Sequence, residues 1–176
     1  MKSALKIRPM KNSDWSRVSE IYRQGIETGN ATFETKVISK SEWNKTHIKK
    51  CRLIAEINNK IAGWAALSLV SERAAYIGVA EVSIYIDKNH RNKKIGSKLL
   101  EELITLSEKN GIWTLQASIF PENKASIKIH KSAGFRKVGY REKIGMLNSK
   151  WRDTVLFEKR RKIESLNPLS SDSGLH

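Results

Sequence analysis

The chain has 176 residues, of which 39% are hydrophobic, and a formal net charge of +15. The length predicts one domain with a single core, and the charge favours anionic partners such as a phosphorylated cofactor, nucleic acid or an acidic membrane surface. The single cysteine, Cys51, excludes an internal disulfide and fits a reducing compartment. No apolar run is long enough to span a membrane, so we expect a cytoplasmic protein without a signal peptide.

The first half of the chain alternates strand and helix patterns. Polar residues before Trp15 offer helix-capping chemistry, and the Asn58-Asn59 pair between two apolar runs indicates a hairpin turn. In chain order we predict a strand over 5–9, a helix after 12–14, a turn-rich segment over 25–38, a helix from 41 to about 50, strands over 52–57 and 60–70, and a connection over 71–80.

A strand that runs into a helix organises the second half. Val82, Ile84 and Ile86 alternate with polar residues, whereas from Ile95 the apolar residues recur at helical spacing. A helix start exposes unpaired backbone N–H groups and a partial positive charge, so a phosphate binds well there. The loop before this helix start is rich in cations: Lys88, Arg91, Lys93 and Lys94, with Lys98 just beyond.

The remaining elements complete a mixed α/β (α+β) architecture. We predict a strand over 113–119, a helix from about Asn123 to Ser132, and final strands over 137–147 and 151–159. Antiparallel hairpins with one strand–helix–strand unit predict a mixed, mostly antiparallel sheet flanked by helices. We expect a single domain over 1–160 and a polar, mobile tail over 161–176.

Two motifs in order resemble a known superfamily. Residues 91–100 read R-x-x-x-I-G-S-x-L-L, and residues 123–135 read N-x-x-S-x-x-x-H-x-x-x-G-F. They resemble the acetyl-CoA core of the GCN5-related N-acetyltransferases (GNAT). Residues 81–86 and 73–76 are most similar to the group that acetylates phosphinothricin and methionine sulfoximine. The resemblance implies the GNAT fold with about seven strands, acetyl-CoA as acetyl donor, no metal, and a homodimer.

The resemblance also implies an acetyl-CoA site. The core strand would pair with the pantetheine arm, the loop and helix start would hold the pyrophosphate, and the helix-capping Asn123 would reach the pantetheine. Lys94 stands where the family usually has glycine; because lysine prefers negative φ, we expect the loop to avoid a left-handed residue there. The implied residues are Ile84, Tyr85, Ile86, Arg91, Asn92, Lys93, Lys94, Ile95, Gly96, Ser97 and Asn123.

Five residues are candidates for the chemistry and the acceptor. Glu81 is the candidate general base for the acceptor ammonium. His130, at a family Tyr/His position, is the candidate acid near the leaving thiolate. Arg73 offers a bidentate fork for an acceptor carboxylate. Phe33 is either a pocket wall or core, and Glu34 follows it in the same segment.

Three functions stay open at this stage. The first is N-acetylation of a small amino acid or analogue such as phosphinothricin, methionine sulfoximine or methionine sulfone. The second keeps the chemistry but takes a protein N-terminus or lysine as acceptor. The third is a degenerate fold that binds RNA, favoured by the charge, Lys94 and the basic run at 159–162. Asn148 stands where phosphinothricin enzymes can carry His; because Asn cannot act as a base, an activity that needs that His would be weakened.

Overall fold

The structure is a computed structural model that describes residues 4–162. The predicted tail at 161–176 therefore lies outside the described residues, apart from positions 161 and 162. Within the described range, no helix is both long and apolar enough to cross a membrane.

Seven strands and four α-helices make up the described part of the chain, with single 3-10 turns at 12–14, 74–76 and 88–90. In chain order the elements are β1 (Leu5–Pro9), α1 (Trp15–Glu27), α2 (Lys40–Thr46), β2 (His47–Ile57), β3 (Lys60–Leu69), β4 (Val79–Ile86), α3 (Ile95–Lys109), β5 (Thr114–Ile119), α4 (Lys124–Ser132), β6 (Arg136–Leu147) and β7 (Lys150–Arg160).

The strands form one sheet in the order β1-β2-β3-β4-β5-β7-β6. Every neighbouring pair is antiparallel except β4 and β5, which run parallel. This confirms the predicted mixed, mostly antiparallel sheet. Two hairpins turn on left-handed pairs, Asn58-Asn59 and Asn148-Ser149, all with φ between 48° and 61°. Asn tolerates this conformation, so Asn148 is explained by the turn.

Three predicted boundaries were wrong. α2 ends at Thr46, not near Lys50, because the His47 ring stacks on Trp43 with centroids 4.1 Å apart and His47 pairs with Ser68 on β3. Ile48 then packs against the core from a strand. α1 extends to Glu27, into the segment predicted as turns, and β4 begins at residue 79, inside the predicted connection.

Each face of the sheet carries its own core. On one face, α3 packs against β1–β4, and Leu99 and Leu103 lie in a cluster with Leu115 and Phe157. On the other face, residues of α1 and α2 pack in a second cluster with residues of β2, β3 and β4, among them Trp64. The helices of this second face therefore cluster with the β2–β4 half of the sheet.

Candidate active site

β4 and β5 separate after three residue pairs. Residues 79–81 lie opposite residues 114–116, but beyond Glu81 β4 continues beside β3 alone, with Ile84 opposite Ala65. In the part of the chain that the structure describes, the β5-facing edge of residues 82–86 has no strand partner. A ligand that carries amide groups can pair with such an edge as another strand would. The predicted pantetheine residues Ile84, Tyr85 and Ile86 lie on this edge.

The loop between β4 and α3 contains two left-handed residues. Asn92 has φ 61°, and Lys94, the N-cap of α3, has φ 60° and ψ 11°. The expectation that Lys94 would avoid this conformation was wrong. Its neighbour Ile95 is buried in the core, so the backbone must turn at Lys94 despite a cost of about 1 kcal/mol for a residue with a Cβ. The loop thus keeps a backbone path that glycine would adopt.

The start of α3 presents backbone N–H groups that no group in the described part of the chain caps. Lys94 makes no side-chain cap, and the first turn contains no acid. No acceptor among residues 4–162 bonds the backbone N–H groups of Ile95, Gly96 and Ser97. The exposed residues Arg91, Asn92 and Lys93 precede it. Unpaired N–H groups at a helix start fit a pyrophosphate, so the residues present suit the predicted cofactor.

Gly96 permits close packing at the same place. A Cβ on Gly96 would lie 3.3 Å from Ile129 Cδ1 on α4 and 3.8 Å from Ile86 Cγ1 on β4. The first contact is tighter than ordinary van der Waals distance. The absent side chain therefore lets the start of α3 approach both α4 and the end of β4.

A buried carboxylate that sequence reasoning missed anchors this loop. Asp87, 1% exposed, accepts from Arg17 at 2.6 Å, Gln24 at 3.0 Å, the Asn89 backbone N–H at 3.0 Å and His90 Nδ1 at 2.8 Å. Burial alone would raise the pKa of Asp87, but these hydrogen bonds hold that pKa well below its usual range. The only signal in the sequence was an acid directly after an apolar strand, because Arg17 and Gln24 are 70 and 63 residues away.

Glu81 lies where β4 and β5 part. It pairs with Ser68 on β3 and Gln116 on β5. Its neighbour Ala80 is buried in the α3 cluster, whereas Tyr85 packs against the cluster of α1. Alternation along the strand therefore places Glu81 on the Tyr85 face, opposite α3. The Glu81 carboxylate thus lies on that face at the point where the strands part, and its role as general base stays a prediction.

His130 is buried on α4, 3% exposed, with its ring edge-on to Phe135 at 5.0 Å. Nδ1 lies 2.8 Å from the Ser126 carbonyl and donates to it, and Nε2 has no partner within the described residues. Burial lowers the pKa of His130. In this neutral tautomer Nε2 carries no proton, so acting as an acid requires the doubly protonated ring, which burial disfavours. The predicted role in protonating the thiolate stays a prediction.

Asn123 joins the two predicted substrate sites. Its Oδ1 accepts from the Ser126 backbone N–H at 3.1 Å, which is the predicted helix cap. Its Nδ2 donates to the Asn30 carbonyl at 3.1 Å, in the α1–α2 loop (residues 28–39). Both ends of the amide therefore bind protein groups, and its predicted contact with pantetheine stays a prediction.

Arg152 on β7 fastens the same loop from the other side. Its guanidinium donates to the Gly29 carbonyl at 2.8 Å and lies 4.0 Å above the Phe120 ring. One Nη also lies 3.3 Å from a Glu122 carboxylate oxygen. Sequence reasoning missed this residue as a site element, because its partners become neighbours only in the folded sheet.

Phe33 packs between Phe120 and the β6 strand. Its ring meets Phe120 edge-on at 4.9 Å, and a Cβ on Gly145 of β6 would lie 2.8 Å from it. With 36% of its surface exposed, Phe33 is not a core residue. Its role as a wall of the acceptor pocket stays a prediction.

The other predicted acceptor residues lie on loops. Glu34 is exposed. Burial raises the pKa of Tyr22 and of Tyr85, and the negative charge of Glu34 raises both further, so Glu34 lies near both phenols. Arg73 is exposed, with its guanidinium 6.0 Å from the Tyr76 ring. No carboxylate among the described residues forms an ion pair with it.

The parted parallel strands and the uncapped helix start fit the class of GNAT acetyltransferases. The acetyltransferase (GNAT) domain family matches residues 7–156, and the chain belongs to this family. It is an N-acetyltransferase that uses acetyl-CoA as its acetyl donor.

The relatives define a narrower group. YwnH of Bacillus subtilis (strain 168) is 35% identical over 76% of this chain and 85% of its own length. A phosphinothricin N-acetyltransferase of Streptomyces viridochromogenes is 26% identical over 88% and 87%. An L-methionine sulfoximine/L-methionine sulfone acetyltransferase of Salmonella typhimurium is 24% identical over 86% and 92%.

A solved structure matches both fold and cofactor. The phosphinothricin acetyltransferase of Sinorhizobium meliloti, crystallised with acetyl-CoA, superposes with a TM-score of 0.82 at 25% identity. The match covers 96% of this chain and 97% of that chain. The described part of this chain therefore has the fold of an acetyl-CoA-binding member of the family.

Proposed function

We propose that this enzyme transfers the acetyl group of acetyl-CoA to the α-amino group of a free amino acid or amino-acid analogue of the phosphinothricin, methionine sulfoximine or methionine sulfone type. The position of Glu81 at the vertex of the parted strands carries the proposal. There its carboxylate meets an amine from one face of the sheet, while the thioester lies between β4 and β5. Named acetyltransferases of this kind among the relatives support the acceptor class.

In the proposed reaction the amine attacks the thioester carbonyl, a C–N bond forms and the C–S bond breaks. CoA leaves as a thiolate, which takes up the second proton that the nitrogen loses as the amide forms. Glu81 accepts the ammonium proton, directly or through a water. The N–H groups that open α3 hold the pyrophosphate, and the free edge of β4 aligns the pantetheine arm. The proximity of amine and thioester supplies much of the rate.

The α1–α2 loop favours a small acceptor over a peptide. A peptide requires an open groove beside this loop, yet Asn123 and Arg152 bind the loop backbone and Phe33 packs against Phe120. These contacts hold the loop against α4 and β7, which disfavours the wide groove that a peptide requires. The peptide acceptor and the RNA-binding alternative remain outcomes of the test below.

The test is a thiol-release assay with acetyl-CoA and a panel of phosphinothricin, methionine sulfoximine, methionine sulfone, proteinogenic amino acids and short peptides. We expect turnover of amino-acid analogues. Glu81→Gln should lower kcat by roughly 10²–10⁴-fold, the usual contribution of a general base, while CoA affinity stays unchanged.

Glu142→Gln is the matched control, because Glu142 is an exposed carboxylate on β6. Full activity in this variant would attribute the loss to Glu81 itself. Turnover of peptides alone would contradict the proposal that the acceptor is a free amino acid or analogue. An absence of both turnover and CoA binding, with tight, salt-dependent RNA binding, would overturn the enzyme reading.

We also propose a homodimer that forms through the β6–β7 hairpin. β6 is an edge strand of twelve residues. A long edge strand presents unpaired backbone groups, and exposed apolar side chains beside it can pack against another chain. Its exposed apolar side chains, with that of Trp151, form the β6 patch: Val138, Tyr140, Ile144, Met146 and Trp151.

A further inference from the structure

The sheet face that carries Glu81 continues across β5, β7 and β6 as a polar row. Glu81 lies opposite Gln116, Gln116 opposite Glu158, and Glu158 opposite Arg136. Side chains of residues directly opposite each other on neighbouring strands share a face. The far end of this row is already paired, since Arg136 bonds Glu158.

An arginine without an acidic partner reaches over the same face further along the strands. Arg141 on β6 crosses β7 and donates to the Ser118 hydroxyl on β5. Among residues 4–162 no carboxylate bonds this guanidinium. Most of its N–H donors are therefore free for a ligand. Arg136, on the same strand, differs in having a carboxylate partner.

A buried hydroxyl without a partner lies beside this arginine. Thr154 on β7 is directly opposite Arg141 and is 2% exposed. Within the described chain its Oγ1 has no hydrogen-bond partner. A buried hydroxyl left unpaired is unfavourable, and Thr154 lies beneath Arg141 on the same face of the sheet. Arg141 and the Ser118 hydroxyl, which are already in contact, offer the donors that a carboxylate or phosphinate oxygen requires.

The distance from this group to Glu81 matches a short, acidic amino acid. Ser118 is two residues beyond Gln116, so strand geometry places its Cα roughly 8 Å from the Cα of Glu81. We propose that Arg141, with the Ser118 hydroxyl, binds the oxyanion at the end of the acceptor side chain while the acceptor amine lies at Glu81. The enzyme then prefers acceptors with an acidic side chain. This inference rests on the proposed function.

The experiment compares two acceptors that differ in side-chain charge. Phosphinothricin carries an anionic phosphinate, and methionine sulfone carries a neutral sulfone. Arg141→Gln should lower kcat/KM for phosphinothricin roughly tenfold to hundredfold, the value of a charge-assisted hydrogen bond, and kcat/KM for methionine sulfone by less than about threefold. Arg141→Lys keeps the charge without the fork and should recover part of the loss.

Arg136→Gln is the matched control, because it removes the same charge from the same strand and face. It should leave the ratio of the two kcat/KM values unchanged. Equal losses on both acceptors in Arg141→Gln would overturn the subsite and assign Arg141 a structural role. No loss on either acceptor would overturn it as well.

A binding measurement separates this inference from the proposed function. Phosphinothricin should raise the Tm of the wild-type CoA complex, and Arg141→Gln should abolish that shift. If neither acceptor turns over but the shift is present and Arg141-dependent, the subsite is upheld and the proposed reaction is wrong. If there is neither turnover nor a shift, the subsite is overturned.

Discussion

Lys94 holds a backbone conformation that glycine adopts without strain. Both neighbouring anchors are strong: Asp87 is bonded to α1 on one side, and Ile95 is buried on the other. The loop path is therefore imposed by the fold, and a lysine can occupy the turn at a local cost. The ammonium of Lys94 in turn adds positive charge at the expected pyrophosphate site.

This predicts a difference between two substitutions that both remove the charge. The Lys94→Gly variant should be more stable than the Lys94→Ala variant by about 1 kcal/mol of unfolding free energy, because only Ala keeps a Cβ at positive φ. Urea denaturation of both variants measures this difference. Both variants should bind CoA equally weakly at low salt, and the difference from the wild type should shrink at high salt, where charge interactions are screened. Calorimetry at the two salt concentrations measures these affinities. Equal stability of the two variants would contradict the strained turn.

At the level of elements, the α1–α2 loop is bound by parts of the chain that are distant in sequence. Arg152 on β7 and Asn123 at the start of α4 both bond its backbone. Because Asn123 also caps α4, the helix beside the cofactor groove and the loop beside the acceptor share one side chain. A change in this loop should affect acceptor binding first.

Arg152→Ala should therefore raise the KM for the acceptor by about tenfold, by removing a charge-assisted bond to the Gly29 carbonyl and the contact with Phe120. CoA affinity, measured by calorimetry, should change less than about twofold, because the groove between β4 and β5 is untouched. The KM of the Arg152→Lys variant should lie between those of the wild type and Arg152→Ala, since lysine keeps the charge but lacks the planar, forked guanidinium.

Arg160→Ala serves as the control, because Arg160 is an exposed arginine on the same strand. It should leave both constants unchanged. A fall of CoA affinity in parallel with acceptor affinity in Arg152→Ala would show that the loop is not the element that Arg152 positions.

For the whole molecule, the sheet ends in two unlike edges. β1 is five residues long, whereas β6 has twelve residues and carries most of the exposed apolar patch. The net charge of +15 opposes association at long range, but salt screens it. Association through β6 is thus expected to strengthen as salt rises.

Ile144→Lys should convert a dimer to monomer, because it places a charge in the middle of the proposed interface. Sedimentation velocity at fixed protein concentration measures the change. Leu69→Lys, a similar change at an exposed apolar residue at the end of β3, should leave the dimer intact. A wild-type chain that sediments as a monomer at high salt would rule out the interface.

Local sequence was enough to predict most elements and the family. Apolar alternation in 82–86, helical spacing from Ile95 and the left-handed asparagine turns depend on interactions between near neighbours in the chain. The motif that ends at Phe135 is local for the same reason. The predictions failed where packing overrode local preference, as at the end of α2 and at Lys94.

By itself, the sequence determined the order of the elements, the acetyl-CoA-binding family and the candidate base Glu81, because each is encoded by residues within one short stretch. Only the tertiary structure decided that Asp87 anchors the loop, that Arg152 fastens the α1–α2 loop and that Arg141 shares a face with Glu81. Those relations join residues on different strands and helices. Their physical cause is the pairing register of the sheet, which no single stretch of the chain contains.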